Sequence, residues 1–495
     1  ILWRFKSDDK IQEYQLKTVT YGTKPASYIA TACLKKLADE NKKQYPIASE
    51  VIASDFYMDD LLSGASTLSE AIQLRNNLIT ILNNAGLQLR KWVSNKKKVL
   101  VDITNIDNDP LRVLNLDNNP IKMIGLFWDP YNDTYRYKVN EPIQRSTSIA
   151  PITKRNILSN IATIFDPLGL IGPIVITVKI IMQKLWQKGI NWDEQLPLSI
   201  LKEWEGYWHE LIKIEQITIP RRVIGCDGNV NVQIHGFADA STVVYGACLY
   251  VRTTDCEGKH YTRLIIAKSR VAPLKTISLA RLELCAAVLL MRLSKKIIPK
   301  LRIKVIREYY WSDSSIVLSW INAPSSRWKT FVAHRVGEIH QATASSQWRH
   351  VKSEDNPADI ISRGCTPEKL QNDILWWEGP PWINSNEDEW PYNVSEIKIN
   401  DNEIPEEKKS LALVTVVNEE IPIIKRYSTL PKLLRVVAYI IRWKQRVVNK
   451  IQFTTKTIEL SEFNDSKEKL IKIVQQQHFS SEINRLKHKK CVQYK

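Results

Sequence analysis

Four acidic residues stand at the ends of predicted strands and helices between residues 230 and 365, and they constrain the fold of this region most strongly. They are Asp239, Glu283, Asp313 and Asp359. Asp239 ends a strand of alternating residues, and Asp313 directly follows an apolar strand. Glu283 lies on a largely apolar helix, and Asp359 stands at the start of another. Because such positions can converge at one edge of a sheet, the sequence predicts a single acidic cluster.

The order of elements around these acids predicts an α/β domain with a mixed sheet. Hairpin strands come first, then a helix and a fourth strand, then two more helices and a final strand-loop-helix unit. In chain order the predicted elements cover residues 232–238, 247–252, 264–269, 278–297, 305–311, 314–321, 330–341 and 347–362.

The chemistry of four converging carboxylates is the hydrolysis of a phosphodiester. Two Mg²⁺ ions about 3.5–4 Å apart can activate a water and stabilise the leaving oxygen. Mg²⁺ prefers hard oxygen ligands, and Mn²⁺ accepts the same set. Each acid alone is weak evidence, since an Asp after a strand is usually a turn former. The four together, in order and among small or polar neighbours, favour a metal-dependent nuclease site.

A second acidic motif, Tyr57-Met58-Asp59-Asp60, lies upstream. Extended segments predicted at 51–56 and 61–62 would make it a hairpin turn that presents Asp59 and Asp60 together. Two carboxylates on a turn suit metal binding for nucleotidyl transfer. The motif alone is short and weakly specific.

The charge of the chain indicates a polyanionic partner. The net charge is +17 and the isoelectric point is about 9.3, which favours nucleic acid or an anionic membrane surface. The seven Cys contain no Cys-x-x-Cys pair, so we expect neither a structural zinc site nor a disulfide framework. The same pattern favours a reducing compartment. The most apolar stretch, 168–178, is too short to span a membrane.

Residues 232–364 resemble the RNase H domain of LTR retrotransposons, and their sequence is most similar to that of the Pao/BEL group. The matching motifs are Phe237-Ala238-Asp239-Ala240-Ser241, Leu282-Glu283-Leu284, Trp311-Ser312-Asp313-Ser314 and 356–364. The resemblance implies Mg²⁺- or Mn²⁺-dependent cleavage of the RNA strand of an RNA–DNA hybrid. It implies that the four acids are the catalytic and metal-binding residues. His350 lies near the last of them in a strand-like context and receives no catalytic role.

The flanks of the upstream motif resemble a reverse transcriptase of the same group. The segments 20–26, 86–92 and 124–128 carry this likeness. The resemblance implies that Asp59 and Asp60 are catalytic and metal-binding residues. The family's polymerase site needs a further Asp, from a strand that would precede Ile1. We therefore expect that this fragment cannot polymerise by itself.

The predicted fold class is a multidomain combination of α/β and α+β. The expected divisions are a partial reverse-transcriptase palm at 1–105, a thumb or connection of Pao type at 106–225, and the RNase H-like domain at 226–365. A linker at 366–410 and a mostly helical pre-integrase segment at 411–495 complete the chain. Residues 153–173 also resemble the Pao group, and the absence of Asp-Thr-Gly or Asp-Ser-Gly disfavours a peptidase there.

The resemblance implies particular partners and places. The partners are an RNA–DNA hybrid, DNA and RNA, and the remainder of a retroelement polyprotein with its integrase and capsid; no membrane is expected. The location is the cytoplasm, within a virus-like particle, or the nucleus. The alternative hypothesis is an inactive or domesticated remnant that binds nucleic acid without catalysis. A purely structural connector fits 366–495 but does not explain the acids.

Overall fold

The computed structural model describes residues 1–20, 22–104, 120–123, 125–139, 152–225, 230–391, 404–408, 422–453 and 455–487. The chain divides into two compact units, Ile1–Lys408 and Lys409–Lys495.

The secondary structure is mixed in the first unit and helical in the second. The strands are β1 Leu2–Trp3, β2 Gln12–Glu13, β3 Phe56–Tyr57, β4 Asp60–Leu61, β5 Ile121–Met123, β6 Leu126–Asp129, β7 Thr134–Arg136, β8 Thr218–Pro220, β9 Asn231–Ala240, β10 Val244–Thr254, β11 His260–Val271, β12 Val305–Ser312 and β13 Trp348–His350. The helices are α1 Ala26–Asn41, α2 Pro46–Ser54, α3 Leu68–Asn84, α4 Val101–Thr104, α5 Lys154–Ile161, α6 Gly172–Gln187, α7 Leu198–Leu211, α8 Leu279–Ile297, α9 Ser315–Asn322, α10 Thr330–His340, α11 Ala358–Arg363, α12 Pro367–Gln371, α13 Ile374–Glu378, α14 Pro422–Lys425, α15 Leu430–Asn449, α16 Leu460–His478 and α17 Ser480–Lys487.

A five-stranded mixed sheet organises the region of the four acids. Its strand order is β11-β10-β9-β12-β13. The first three strands form an antiparallel meander, whereas β12 runs parallel to β9 and β13 parallel to β12. The predicted order of strands and helices over 230–365 is confirmed, with α8, α9, α10 and α11 where helices were expected.

One face of this sheet packs on helices. Val232, Ile234 and Ala238 of β9 share a hydrophobic core with Leu290 of α8 and Val336 of α10. These strand residues are two or four positions apart, so their side chains point to the same face of the sheet. The alternation read from the sequence therefore marks the helix-facing side of β9.

The opposite face is also buried. Phe237, Tyr250 and Trp311 pack in a second core with Ile174 of α6 and Trp376 of α13. The expected linker at 366–410 is therefore wrong for residues 366–391, because Trp376 and other apolar side chains of this stretch are buried. The Trp376 indole Nε1 donates to the Leu170 carbonyl at 2.9 Å, and Tyr250 Oη donates to the Trp376 carbonyl at 2.7 Å.

The described residues between 120 and 225 include a second, four-stranded sheet and the helices α5, α6 and α7. The strand order is β5-β6-β7-β8. The antiparallel strands β5 and β6 lie on either side of Gly125, whose φ of +85° favours a turn. The helices α5 and α6 follow in the chain.

The N-terminal region contains the helices α1 and α3. Thr67 caps α3 and forms a capping box with Glu70. The extended segment predicted at 51–56 is wrong for residues 51–54. They belong to α2, because Pro46 starts a helix that buries Val51 against α3. Further upstream, Gln12–Glu13 pairs with Leu2–Trp3.

The second unit is helical over the described part of 422–487, as predicted. Leu433 and Leu434 of α15 pack against Leu470 of α16. Among the described residues, no helix is both long enough and apolar enough to cross a bilayer.

Candidate active site

Asp239 and Asp313 lie side by side at the carboxyl ends of two neighbouring parallel strands. In the register of β9 and β12, Ser312 stands opposite Ala238, so the next residue of each strand is an aspartate. Parallel strands lie about 4.8 Å apart. Asp239 is 7% exposed. The sheet itself thus places two carboxylates at one edge, as the sequence predicted for this pair.

Helix α11 brings Asp359 to the same edge. Asn356 Nδ2, just before the helix, donates to the Ala238 carbonyl at 3.2 Å. The Ser362 hydroxyl, one turn further along, donates to Asp239 Oδ2. These two bonds fix the short helix against the end of β9.

A glycine makes room for this helix. Gly246 of β10 is paired with Asp239 of β9. A Cβ built on Gly246 would lie 2.6 Å from Cγ2 of Ile361. Ile361 is fully buried. Only a residue without a side chain permits this approach of α11 to the sheet.

Glu283 comes from α8, which covers the helix-facing side of the sheet. It accepts a hydrogen bond from the Ser314 hydroxyl, and the same hydroxyl accepts from the Val317 amide as the N-cap of α9. Ser314 follows Asp313 directly. The cap of α9 therefore connects Glu283 to the strand end that carries Asp313.

The carboxylates influence one another electrostatically. Burial, the charge of Asp313 and the charge of Asp359 raise the pKa of Asp239 to about 6, against a hydrogen bond from Ser362 that lowers it. Burial and the charge of Asp313 likewise raise the pKa of Glu283. A carboxylate whose pKa is raised by burial and by neighbouring like charges is a mark of functional carboxylate clusters.

Each carboxylate has its own hydrogen-bond donor. Asp239 and Glu283 accept from serine hydroxyls, as described above. Ser353 Oγ donates to Asp313 Oδ2 at 2.8 Å, and Arg363 Nε donates to Asp359 Oδ1 at 2.6 Å. In the part of the chain that the structure describes, no three Asp, Glu, His or Cys side chains are arranged so that they could hold one metal ion.

The donor set nevertheless fits a divalent cation. Asp313 Oδ1 is buried and has no hydrogen-bond partner among the described residues. The raised pKa of Asp239 shows that this edge would be stabilised by positive charge. Asp239, Glu283, Asp313 and Asp359 supply hard oxygen atoms only, which suits Mg²⁺ or Mn²⁺.

Several residues of the site were not predicted or were predicted differently. Ser362 and Ser353 were missed; Ser362 stands one helical turn after Asp359, a spacing that could have indicated it. Arg281, two residues before Glu283, pairs with Glu406 at 2.7 Å. His350 ends β13 opposite Ser312, half-buried, and no role is assigned to it.

The upstream motif forms the expected hairpin turn. Tyr57 of β3 pairs with Asp60 of β4, and Met58 at the turn has a φ of +59°. Asp59 and Asp60 are exposed. The structure brings them to one turn, but among the described residues it joins no third metal-binding side chain to them.

Comparison with protein families matches residues 153–314 to the Pao retrotransposon-like RNaseH-like domain. No curated protein matches the chain.

Solved structures give weak likenesses. RNase H1 from the archaeon Halobacterium salinarum is 12% identical, covering 29% of this chain and 99% of that chain, with a TM-score of 0.19. LC11-RNase H1, solved in complex with an RNA/DNA hybrid, is 13% identical, covering 26% and 93%, with a TM-score of 0.20. The prototype foamy virus protease-reverse transcriptase is 14% identical, covering 67% and 38%, with a TM-score of 0.17. Likenesses this weak carry no weight for fold or function.

The matched segment begins at the N-cap of α5 and ends at Ser314, the N-cap of α9. It includes the antiparallel meander, α8, β12 and three of the four acids. Residues 153–314 are therefore similar to the Pao retrotransposon-like RNaseH-like domain.

Proposed function

We propose that the site formed by Asp239, Glu283, Asp313 and Asp359 is a nuclease site that hydrolyses the RNA strand of an RNA–DNA hybrid with Mg²⁺ or Mn²⁺. The observation that carries this proposal is the position of Asp239 and Asp313 at adjacent strand ends, where the charge of Asp313 raises the pKa of the buried Asp239. A structural role would not require two partly buried like charges at one sheet edge.

The chain's own residues have distinct tasks in this proposal. Asp239 and Asp313 would hold the cations from the sheet, and Glu283 and Asp359 would hold them from α8 and α11. Bound cations would activate a water and stabilise the leaving oxygen. The serine hydroxyls on Asp239, Glu283 and Asp313 orient the carboxylates, and Arg363 lies close enough to the site to meet a phosphate.

The proposed substrate follows from the family match and the charge. A net charge of +17 favours a phosphate backbone. Recognition of a hybrid would rest on 2′-hydroxyl contacts and groove shape rather than on base readout. The full chain would therefore cleave hybrids of unrelated sequence at similar rates.

The test is hybrid cleavage by the full chain with Mg²⁺. We expect the unaltered protein to cut the RNA strand of a labelled hybrid, and Asp313→Asn to lose at least about a hundredfold in rate because a two-metal site loses a ligand. Chelation with EDTA should abolish cleavage. Glu205→Gln, an exposed carboxyl on α7, is the matched control and should cut normally.

Two results would decide against the proposal. If neither the unaltered protein nor its variants cut the hybrid in Mg²⁺ or Mn²⁺, the chain would be a remnant that binds nucleic acid only. If Asp313→Asn cut as fast as the unaltered protein, a nuclease would be present but its site would lie elsewhere.

We also propose that residues 1–105 are an incomplete reverse-transcriptase palm. The hairpin with Asp59 and Asp60 supports this proposal. Among the described residues no third metal-binding side chain joins these two carboxylates, and two alone do not make a full two-metal clamp. We expect no template-directed DNA synthesis from a primed RNA template with Mg²⁺ and deoxynucleotides. Primer extension by this chain that Asp59→Asn abolishes would refute the expectation.

The remaining domain assignments belong to the same proposal: a thumb or connection at 106–225 and a pre-integrase segment at 411–495. The proposed partners are RNA, DNA and the other parts of a retroelement polyprotein, its integrase and capsid. The proposed location is a cytoplasmic virus-like particle or the nucleus.

A further inference from the structure

Helix α15 of the second unit carries cations and no acids. Its sequence over Leu430–Asn449 contains five Lys and Arg residues and no Asp or Glu. Arg442 is buried in an ion pair with Glu462 of α16. The other cations of α15 are exposed, and among the described residues none of them has an ion-pair partner. The free face of the helix is therefore strongly positive.

Two large aromatic side chains stand in the middle of this positive face. Tyr439 is 51% exposed and Trp443 is 65% exposed. Neither is needed for the packing of α15, because that contact uses Leu433 and Leu434 on the opposite side against α16. Exposed Trp and Tyr rings of this kind require an explanation other than folding.

The helical spacing aligns the aromatics with the cations. One residue in every three or four falls on the same stripe of a helix. The stripe on α15 consists of Lys432, Arg435, Tyr439, Trp443, Arg446 and, just after the helix, Lys450. It is about 27 Å long at a rise of ~1.5 Å per residue. We call these six residues the α15 stripe.

We propose that the α15 stripe is a binding site for single-stranded nucleic acid. A single strand offers phosphates to the four cations at the ends of the stripe and unpaired bases to the two rings between them. Aromatic platforms set within a positive surface bind single strands in this way, with little preference for sequence. The absence of acids from α15 makes the charge complementarity specific to a polyanion.

Two other kinds of partner could bind parts of the same face of α15. Ile440 and Val447 flank the stripe and are also exposed. An anionic membrane surface would take the aliphatic residues together with Trp443, and a protein partner would take the apolar residues alone. Tyr439 between Arg435 and Arg446 favours nucleic acid over both, since stacking needs the rings and phosphate binding needs the cations next to them.

The test measures binding of a fluorescein-labelled oligothymidylate of 20 nucleotides to the full chain in EDTA, where metal-dependent cleavage cannot occur. Tyr439→Ala with Trp443→Ala should weaken binding about tenfold or more. Trp443→Phe should retain most of the affinity, because a phenyl ring still stacks. Thermal melting should be the same for all three proteins, because both side chains are exposed.

A second arm isolates the cations. Arg435→Gln with Arg446→Gln should flatten the dependence of log affinity on log salt by roughly 1.4, since each phosphate contact on a single strand contributes about 0.7. The matched control is Lys467→Gln with Lys469→Gln on α16, which removes the same charge from exposed positions outside the stripe. It should leave the affinity nearly unchanged.

The proposal fails if the aromatic variant binds the oligonucleotide like the unaltered protein, or if the α16 control loses as much affinity as the α15 variants. Vesicles of phosphatidylcholine and phosphatidylserine form the third arm. Vesicle binding that Trp443→Ala abolishes, with oligonucleotide binding intact, would assign the face to a membrane surface instead. Because EDTA silences the proposed nuclease site, these outcomes do not depend on whether the chain cuts hybrids.

Discussion

Asp239 shares a face of β9 with Phe237, a fully buried ring, and so its charge is held in an unfavourable place. Burial and the neighbouring Asp313 and Asp359 raise its pKa from 3.8 to about 6. The folded state therefore holds this proton more tightly than the unfolded state. Stability falls as the pH rises from about 4 through about 6, and above that range the folded chain bears the full cost.

Replacing Asp239 by Asn should stabilise the fold at pH 7 while it abolishes hybrid cleavage. A pKa difference of about two units corresponds to roughly 3 kcal/mol, which is the upper limit of the gain. At pH 3.5 the gain should nearly vanish, because both states of the unaltered protein are then largely protonated. Urea unfolding in EDTA at the two pH values measures it.

Glu205→Gln is the matched control and should change stability by a few tenths of a kcal/mol at either pH. A loss of stability for Asp239→Asn at neutral pH would show that this carboxylate is held by favourable contacts. It would then have a structural role, against the proposed one.

At this scale the sequence identifies charges better than their donors. The four acids could be proposed from the sequence because each lies in a distinctive motif on a predicted strand end or helix. Ser353 could not, since it acquires its role only when folding brings it within reach of a carboxylate forty residues away. Ser362 contacts Asp239 across 123 residues, and only its spacing from Asp359 could have indicated it. The pairing of Arg281 with Glu406 has the same origin in long-range packing.

At the scale of elements, the position of α11 depends on a single missing side chain. A Cβ at Gly246 would lie 2.6 Å from Ile361 Cγ2, well inside van der Waals contact. Ile361 is buried and β-branched, so it cannot turn away easily. Any larger residue at 246 must push α11, and Asp359 with it, away from Asp239.

Gly246→Ala should therefore destabilise the fold by about 1–3 kcal/mol, the usual range for overpacking, and reduce hybrid cleavage. Thermal melting and the cleavage rate with Mg²⁺ measure the two effects. In the background of Ile361→Ala the same substitution should cost clearly less, because the colliding methyl group is gone. Equal costs in both backgrounds would mean that the two residues are not coupled and that α11 is held otherwise.

Strongly periodic elements were predictable and short, irregular ones were not. The helices α3 and α8 and the strands β9 to β12 carry regular apolar patterns, and α3 also carries its capping box. Residues 366–391 show no such period, because their Trp and Ile side chains fill separate gaps on a sheet face. Composition alone made them resemble a linker.

At the scale of the whole molecule, both faces of the five-stranded sheet in the first unit are covered by other elements. Phe237, Tyr250 and Trp311 are completely buried by residues from both 120–225 and 366–391. The alternation in β9 suggested one buried face, whereas β9 is buried on both sides beyond its first residue. Boundaries drawn from sequence at 225 and 365 thus run through one hydrophobic core.

A fragment limited to residues 226–365 should consequently misfold or aggregate, because it would expose those three rings to water. A fragment of residues 120–391 retains both covering segments and should be soluble, melt cooperatively and cut the hybrid.

Trp376→Ala within the longer fragment should lower the free energy of unfolding by about 3–5 kcal/mol, since the Trp376 indole is fully buried and hydrogen-bonded to the Leu170 carbonyl. Soluble yield, circular dichroism melting and the cleavage assay compare the three proteins. If the 226–365 fragment were as soluble, stable and active as the longer one, the covering segments would be dispensable and the shared core would not determine the folding unit.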